Sequence, residues 1–163
     1  MAQEKYARPS WDEYFMEVTR AVAKRSTCDR GRMGCVIARD QQILVTGYSG
    51  SPKGFPHCDE VGHQLKTTIH EDGSQTVHCV RTTHAEQNAI VQAAKLGVPI
   101  AGGTVYSRMT PCAVCAKMIV NADIVRVVCE QRYHAGSESE EMFHQAGIKV
   151  DFFDTEVAKY EHQ

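Results

Sequence analysis

The chain is predicted to fold as one three-layer α/β/α sandwich, built on a mixed sheet of about five strands. Two patterns predict it. After residue 83, helical periods alternate with short apolar runs, the order that builds a sheet with helices packed on both faces and right-handed crossovers. Before it, an amphipathic helix leads into two apolar runs separated by Asp40-Gln41-Gln42, which read as a hairpin. The 163 residues, 42% hydrophobic and 23% charged, suit a single globular domain (residues 1–163) with its core between about residues 11 and 153.

Residues 1–9 read as a loose leader. Ser10-Trp11-Asp12-Glu13 is a capping box, and Trp11, Tyr14, Phe15, Val18 and Val22 follow at helical spacing, giving a helix from Trp11 to Ser26. Cys35 to Ala38 and Ile43 to Thr46 are the hairpin strands. From Gly47 to Thr83 the periodicity fails and Gly50, Pro52, Gly54, Pro56, Gly62 and Gly73 accumulate, so the stretch reads as one long loop. Such a loop needs a staple, and it carries His57, Cys58, His63, His70, His78 and Cys79. Thr83 caps a helix from His84 to Leu96, stopped by Gly97 and Pro99. Thr104 to Ser107 is a strand. Pro111 opens a helix reaching Asn121. Ile124 to Cys129 is a buried strand, Ser137 and Glu140 cap a helix ending at Gly147, and Ile148 to Phe153 is the last strand. No internal repeat or low-complexity segment is present.

Net charge is −2 and the pI about 6.4. Without a basic stripe, long nucleic acid is not an expected partner, although one or two phosphates on a small molecule need only a few donors. The longest apolar runs, such as Val127-Val128-Cys129, are too short to span a membrane. The polar N-terminus lacks the apolar core of a signal peptide, so a cytoplasmic location is expected. Seven cysteines then read as metal ligands and core residues rather than disulfides.

The chemistry is concentrated in two runs, His84-Ala85-Glu86 and Pro111-Cys112-Ala113-Val114-Cys115. They supply one imidazole, two thiols three residues apart on one helical turn, and a carboxylate not needed as a ligand. Both lie at expected helix N-termini, where exposed N–H groups and the helix dipole favour thiolates. A closed structural zinc site takes four protein ligands; three leave a position for water. A Cys-x-x-Cys alone also suits redox chemistry. With histidine, acid, proline and both cysteines together, the pattern is that of zinc-dependent nucleobase deaminases. His84, Cys112 and Cys115 are the expected zinc ligands, and Glu86 the group that moves the water's protons.

From Trp11 to Phe153 the chain resembles the deoxycytidylate (dCMP) deaminases of the cytidine deaminase-like superfamily. Carrying the resemblance are Arg25-Ser26-Thr27-Cys28, Gly34-Cys35-Val36-Ile37, Gly47-Tyr48-Ser49-Gly50-Ser51-Pro52, His57-Cys58-Asp59-Glu60, His78 through Ile90, and Pro111 through Cys115. It implies a cytidine deaminase-like fold and hydrolysis of dCMP to dUMP for thymidylate synthesis. It also implies a homo-oligomer, a hexamer being favoured, with dCTP and dTTP as effectors and Mg2+ accompanying the nucleotide. A second, structural zinc is expected among Cys28, Cys58, His63, His78 and Cys79, with one of the adjacent pair His78-Cys79 serving. Ala85, through its backbone N–H, Ser49, Arg108, Thr110 and Tyr133 are the substrate-binding candidates. Three positions depart from the family pattern. Ser49 stands for Asn, Cys35 for Ala, and Arg108, a candidate phosphate ligand, for Thr or Ser. Alternative readings are a deaminase of a 5-substituted dCMP, CMP, cytidine or another small nucleotide or base. From a different class comes a competence-type nucleic-acid module with little turnover.

Overall fold

The structure, a computed structural model, describes residues 6–154 and 157–158. The start of the leader and most of the charged tail, His162 included, lie outside the described residues. In chain order the elements are α1 (Trp11–Ala23), β1 (Gly34–Arg39), β2 (Gln42–Tyr48), α2 (Cys58–Val61), β3 (Leu65–Ile69) and β4 (Gln75–Cys79). There follow α3 (Ala85–Leu96), β5 (Thr104–Met109), α4 (Ala113–Asn121), β6 (Arg126–Tyr133), α5 (Ser137–Gln145), β7 (Lys149–Phe152) and β8 (Val157–Ala158). The main sheet runs β2-β1-β5-β6-β7, with β8 added to the end of β6. β1 is antiparallel to both β2 and β5, whereas β5, β6 and β7 are parallel, so the sheet is mixed as expected.

Strand alternation sorts the core. Val36, Ala38, Tyr106 and Val128 face α1, meeting Phe15 and Met16. Cys35, Ile37, Val105, Val127 and Cys129 face the other way, against Ala85, Ala89 and Ala93 of α3, Ala116 and Ile119 of α4, and Phe143 of α5. One helix therefore covers one face and three cover the other. The crossovers β5-α4-β6 and β6-α5-β7 both step the same way across the sheet, which puts both helices on the same side.

Several boundaries differ from the sequence expectation. α1 stops at Ala23, and Lys24, Arg25 and Ser26 finish it by donating to carbonyls three residues back. The Ser10–Glu13 capping box forms as expected. The cap of α3 is His84 rather than Thr83, because Thr83 is held in a two-way backbone bridge with Gly50. Cys112, one residue beyond Pro111, caps α4. Gly136 caps α5, and Glu140 pairs with Arg132 at 3.1 Å instead of closing a box with Ser137.

The largest difference lies between Gly47 and Thr83. The expected loop contains α2 and an antiparallel hairpin, β3–β4, in register from Leu65↔Cys79 to Ile69↔Gln75. All five β3 residues are exposed, so no buried face imposes the alternation that marks a strand in sequence. Among the described residues, no helix is long and apolar enough to cross a membrane.

Candidate active site

Gly47 sets the position of α3. A Cβ there would lie 2.3 Å from the Ala85 carbonyl oxygen and 2.4 Å from the Ala89 nitrogen, so only glycine lets β2 approach this closely. The contact seats the first turn of α3, and with it His84 and Glu86, beside the carboxyl end of β5. There Thr110 and Pro111 lead directly into α4. The end of parallel strands is where open α/β sheets place their ligands.

At this junction His84 Nδ1 stands 3.4 Å from Cys112 Sγ and 3.5 Å from Cys115 Sγ. Zn–S bonds of about 2.3 Å and Zn–N bonds of about 2.0–2.1 Å set such atoms about 3.5 Å apart in a tetrahedron, so this donor set fits zinc in both chemistry and spacing. Its electrostatics are those of a shared negative charge. The Cys112 thiol is drawn down to about 3, first by the hydrogen bond from Cys115 and then by His84. Cys115 is correspondingly pushed far up by Cys112 and by burial. The His84 imidazole is raised, chiefly by Cys112.

Glu86 lies beside this triad with 5% of its surface exposed, and its Oε1 accepts a 2.5 Å hydrogen bond from the Ser107 hydroxyl. His84, Cys112 and Glu86 line one cavity of about 410 Å³, within the range of small-ligand sites, and Cys115 lies buried behind them. Ala85, Thr110 and Tyr133 line it too, so three of the five substrate-binding candidates meet there. Thr110 Oγ1 accepts from the Tyr133 backbone N–H at 3.1 Å, tying the wall together.

Ser49 and Arg108 are placed elsewhere. The Ser49 hydroxyl is consumed within the fold: it donates to the Gly31 carbonyl at 3.1 Å, accepts from the Met33 N–H at 3.3 Å, and lies 2.6 Å from Ser26 Oγ. Arg108 follows Ser107 on β5 and so faces the opposite side of the sheet, where it bonds Glu130 at 2.9 Å and the Arg32 carbonyl at 3.2 Å. Glu130 also holds Arg20.

Two residues in the site escaped the sequence reading. Arg30 lines the cavity, donating from Nη2 to the Val77 carbonyl at 2.9 Å. Ser107 holds the acid from beneath. Arg30 lies two residues beyond Cys28, outside the segments that carry the family resemblance. Nothing in the sequence singles out Ser107 among serines.

A second cluster borders the same cavity. Cys28, Cys58, His63 and Cys79 bring their ligand atoms within 4.8 Å of one another, with Cys58 Sγ to Cys79 Sγ at 3.5 Å and Cys28 Sγ to His63 Nδ1 at 3.6 Å. The other ring nitrogen of His63 meets Asp29 Oδ1 at 2.9 Å, which orients the imidazole. His78 is not among them. Adjacent strand residues point to opposite faces, so with Cys79 in the cluster His78 turns into the cavity, where burial and then His84 lower its pKa. Four thiol and imidazole donors make the set of a closed structural site.

A three-layer α/β/α fold with a His/Cys/Cys triad and a buried glutamate beside one cavity defines a metal-dependent hydrolytic site. Residues 9–131 match the model of the family described as "Cytidine and deoxycytidylate deaminase zinc-binding region". The chain belongs to this family of zinc-dependent deaminases. It is 40% identical to ComE operon protein 2 of Bacillus subtilis, over 88% of this chain and 71% of that protein. It is 36% identical to the deoxycytidylate deaminase of Saccharomyces cerevisiae over 90% of this chain, and spans 46% of that enzyme's length. The crystal structure of dCMP deaminase from the cyanophage S-TIM5, in complex with dCMP and dUMP, matches with a TM-score of 0.72 at 29% identity. That match covers 90% of this chain and 99% of the phage chain.

Proposed function

We propose that the protein hydrolyses the amino group of dCMP, releasing dUMP and ammonia. The observation that carries this reading is the His84, Cys112 and Cys115 cluster with buried Glu86 beside it, at a cavity that His84, Cys112 and Glu86 line, in a chain related to deoxycytidylate deaminases. His84, Cys112 and Cys115 would hold a zinc ion, which would lower the pKa of a bound water towards about 7. Glu86 takes a proton from that water, hands it to the ring nitrogen, and later protonates the departing amine. The Ala85 backbone N–H, at the first position of α3, holds the base carbonyl, while Thr110 and Tyr133 confine the ring.

Among the described residues lining the cavity, Arg30 is the one arginine, and we assign it the 5′-phosphate. Replacing it with alanine is expected to raise KM for dCMP about 10- to 100-fold, the worth of a hydrogen bond to a charged group. Any residual activity on deoxycytidine should stay unchanged. Ammonia release from cytidine, CMP, dCMP, dCTP and 5-methyl-dCMP tests the substrate itself. Preference for dCMP is the expected result; preference for unphosphorylated cytidine overturns the assignment.

The Cys28, Cys58, His63, Cys79 cluster supports a second, structural zinc. Elemental analysis is expected to find two zinc ions per chain. Cys58→Ser should lower that to one and reduce thermal stability, the remaining ion staying with His84, Cys112 and Cys115. A wild-type ratio near one removes the second site.

We further infer a cytoplasmic homo-oligomer, with a hexamer favoured, whose product enters thymidylate synthesis. Regulation by dCTP and dTTP with Mg2+ would have to proceed without the Ser49 hydroxyl, which the fold already engages.

A further inference from the structure

We propose that Ser107 is a positioning residue for the proton shuttle, holding Oε1 of Glu86 so that Oε2 carries the proton. The inference rests on the deaminase reading and adds a residue to it. Ser107 lies in the middle strand of three that run beneath α3. In register it sits between Cys35 of β1 and Cys129 of β6, and all three residues are fully buried on the face towards that helix. The floor under Glu86 is therefore a lateral row of thiol, hydroxyl and thiol.

The two thiols are pushed up by burial and further by the charge of Glu86, so they remain neutral and weak as donors. The hydroxyl between them is the strong donor of the row, and it spends its proton on Oε1 at 2.5 Å. A buried hydroxyl needs a partner, and a buried carboxylate needs a donor; each meets the other's requirement here.

The consequence is a division of labour between the two carboxylate oxygens. A glutamate has three side-chain torsions, and a shuttle must reach a water and then two substrate nitrogens without losing its place. Pinning Oε1 to a β-strand removes most of that freedom before substrate arrives. Oε2 then takes one proton from the hydrolytic water and passes it to the ring nitrogen. It takes the second from the hydroxyl of the tetrahedral adduct and passes it to the amine, which leaves as ammonia. Ser107 keeps its own proton throughout.

The test is a double-mutant cycle on the full-length, zinc-loaded protein with Ser107→Ala, Glu86→Gln and the combination. Ser107→Ala is expected to lower kcat for dCMP about 10- to 100-fold, the usual loss when a residue that orients a catalytic group is removed. KM for dCMP, the Kd for dUMP and the zinc content should stay at wild-type values. Ser107→Thr, which keeps the hydroxyl, should recover most of the loss. Adding Ser107→Ala to Glu86→Gln should cost nothing more, because a residue that acts through Glu86 has nothing left to act on. A Ser107→Ala kcat within about twofold of wild type overturns the inference. So does a further loss on the Glu86→Gln background, or a fall in dUMP affinity or zinc content that parallels kcat. If wild type fails on dCMP but hydrolyses another nucleotide of the panel, the substrate assignment falls, and the cycle is read on that nucleotide.

Discussion

Replacing Glu86 with glutamine is expected to lower dCMP turnover about a hundred- to ten-thousand-fold while leaving zinc in place. The range is that of a positioned general acid–base. Glutamine has nearly the same shape, and its carbonyl oxygen can still accept from Ser107, so the α3–β5 contact survives. It has no carboxylate oxygen to take up and return a proton. The expected zinc ligands are His84, Cys112 and Cys115 and all three remain, so zinc per chain should not change. The melting temperature should not fall either, because a buried acid is replaced by a neutral group of equal volume. Ammonia release, elemental analysis and thermal unfolding on one preparation check all three points. Near-normal turnover would remove Glu86 from the mechanism.

Replacing Cys112 with serine should abolish measurable turnover together with one equivalent of zinc. Cys112 is one of the three expected zinc ligands, and a hydroxyl at that position does not ionise at neutral pH. The ion proposed for the second cluster should stay, since the residues that would hold it come from separate segments: Cys28, Cys58, His63 and Cys79. Cys112→Ser and Cys58→Ser thus leave one zinc each, with opposite effects on chemistry. Retention of full zinc and turnover by Cys112→Ser would place the catalytic metal elsewhere.

Both substituted positions were legible in the sequence. Glu86 and Cys112 belong to short motifs at helix starts. Local chain geometry brings Cys112 and Cys115 to one side of a turn, and the requirement for a spare acid points to Glu86 before any fold is known. Element types were legible for the same reason: β5, α4, β6, α5 and β7 each carry their own apolar period and stop signals. The β3–β4 hairpin was not legible, because β3 is exposed throughout, β4 is only partly buried, and its support is a remote cysteine on the segment after α1. Caps were misplaced where tertiary contacts took the expected group, as Gly50 does Thr83.

Substrate contacts divided along the same line. Ala85, Thr110 and Tyr133 reach the cavity because they adjoin the motifs or the end of a neighbouring strand. Arg108 is one residue from Ser107, yet the two-residue repeat of a strand sends it to the α1 face, into the Glu130 pair. Arg20 and Arg108 together satisfy that glutamate, which leaves Arg108 a role in packing α1 and β5 to β6.

The amino-acid sequence by itself determined the class of chemistry here. Ligand type, ligand spacing and helix termini are local properties, and His84, Glu86, Cys112 and Cys115 declare them without reference to the rest of the chain. Only the tertiary structure decided which face each strand residue serves, and that face separates Ser107 from Arg108 and His78 from Cys79. A one-residue step along a strand reverses the side chain's direction. Which direction meets the cavity depends on strands and helices far apart in sequence, packed together by the burial of their apolar faces.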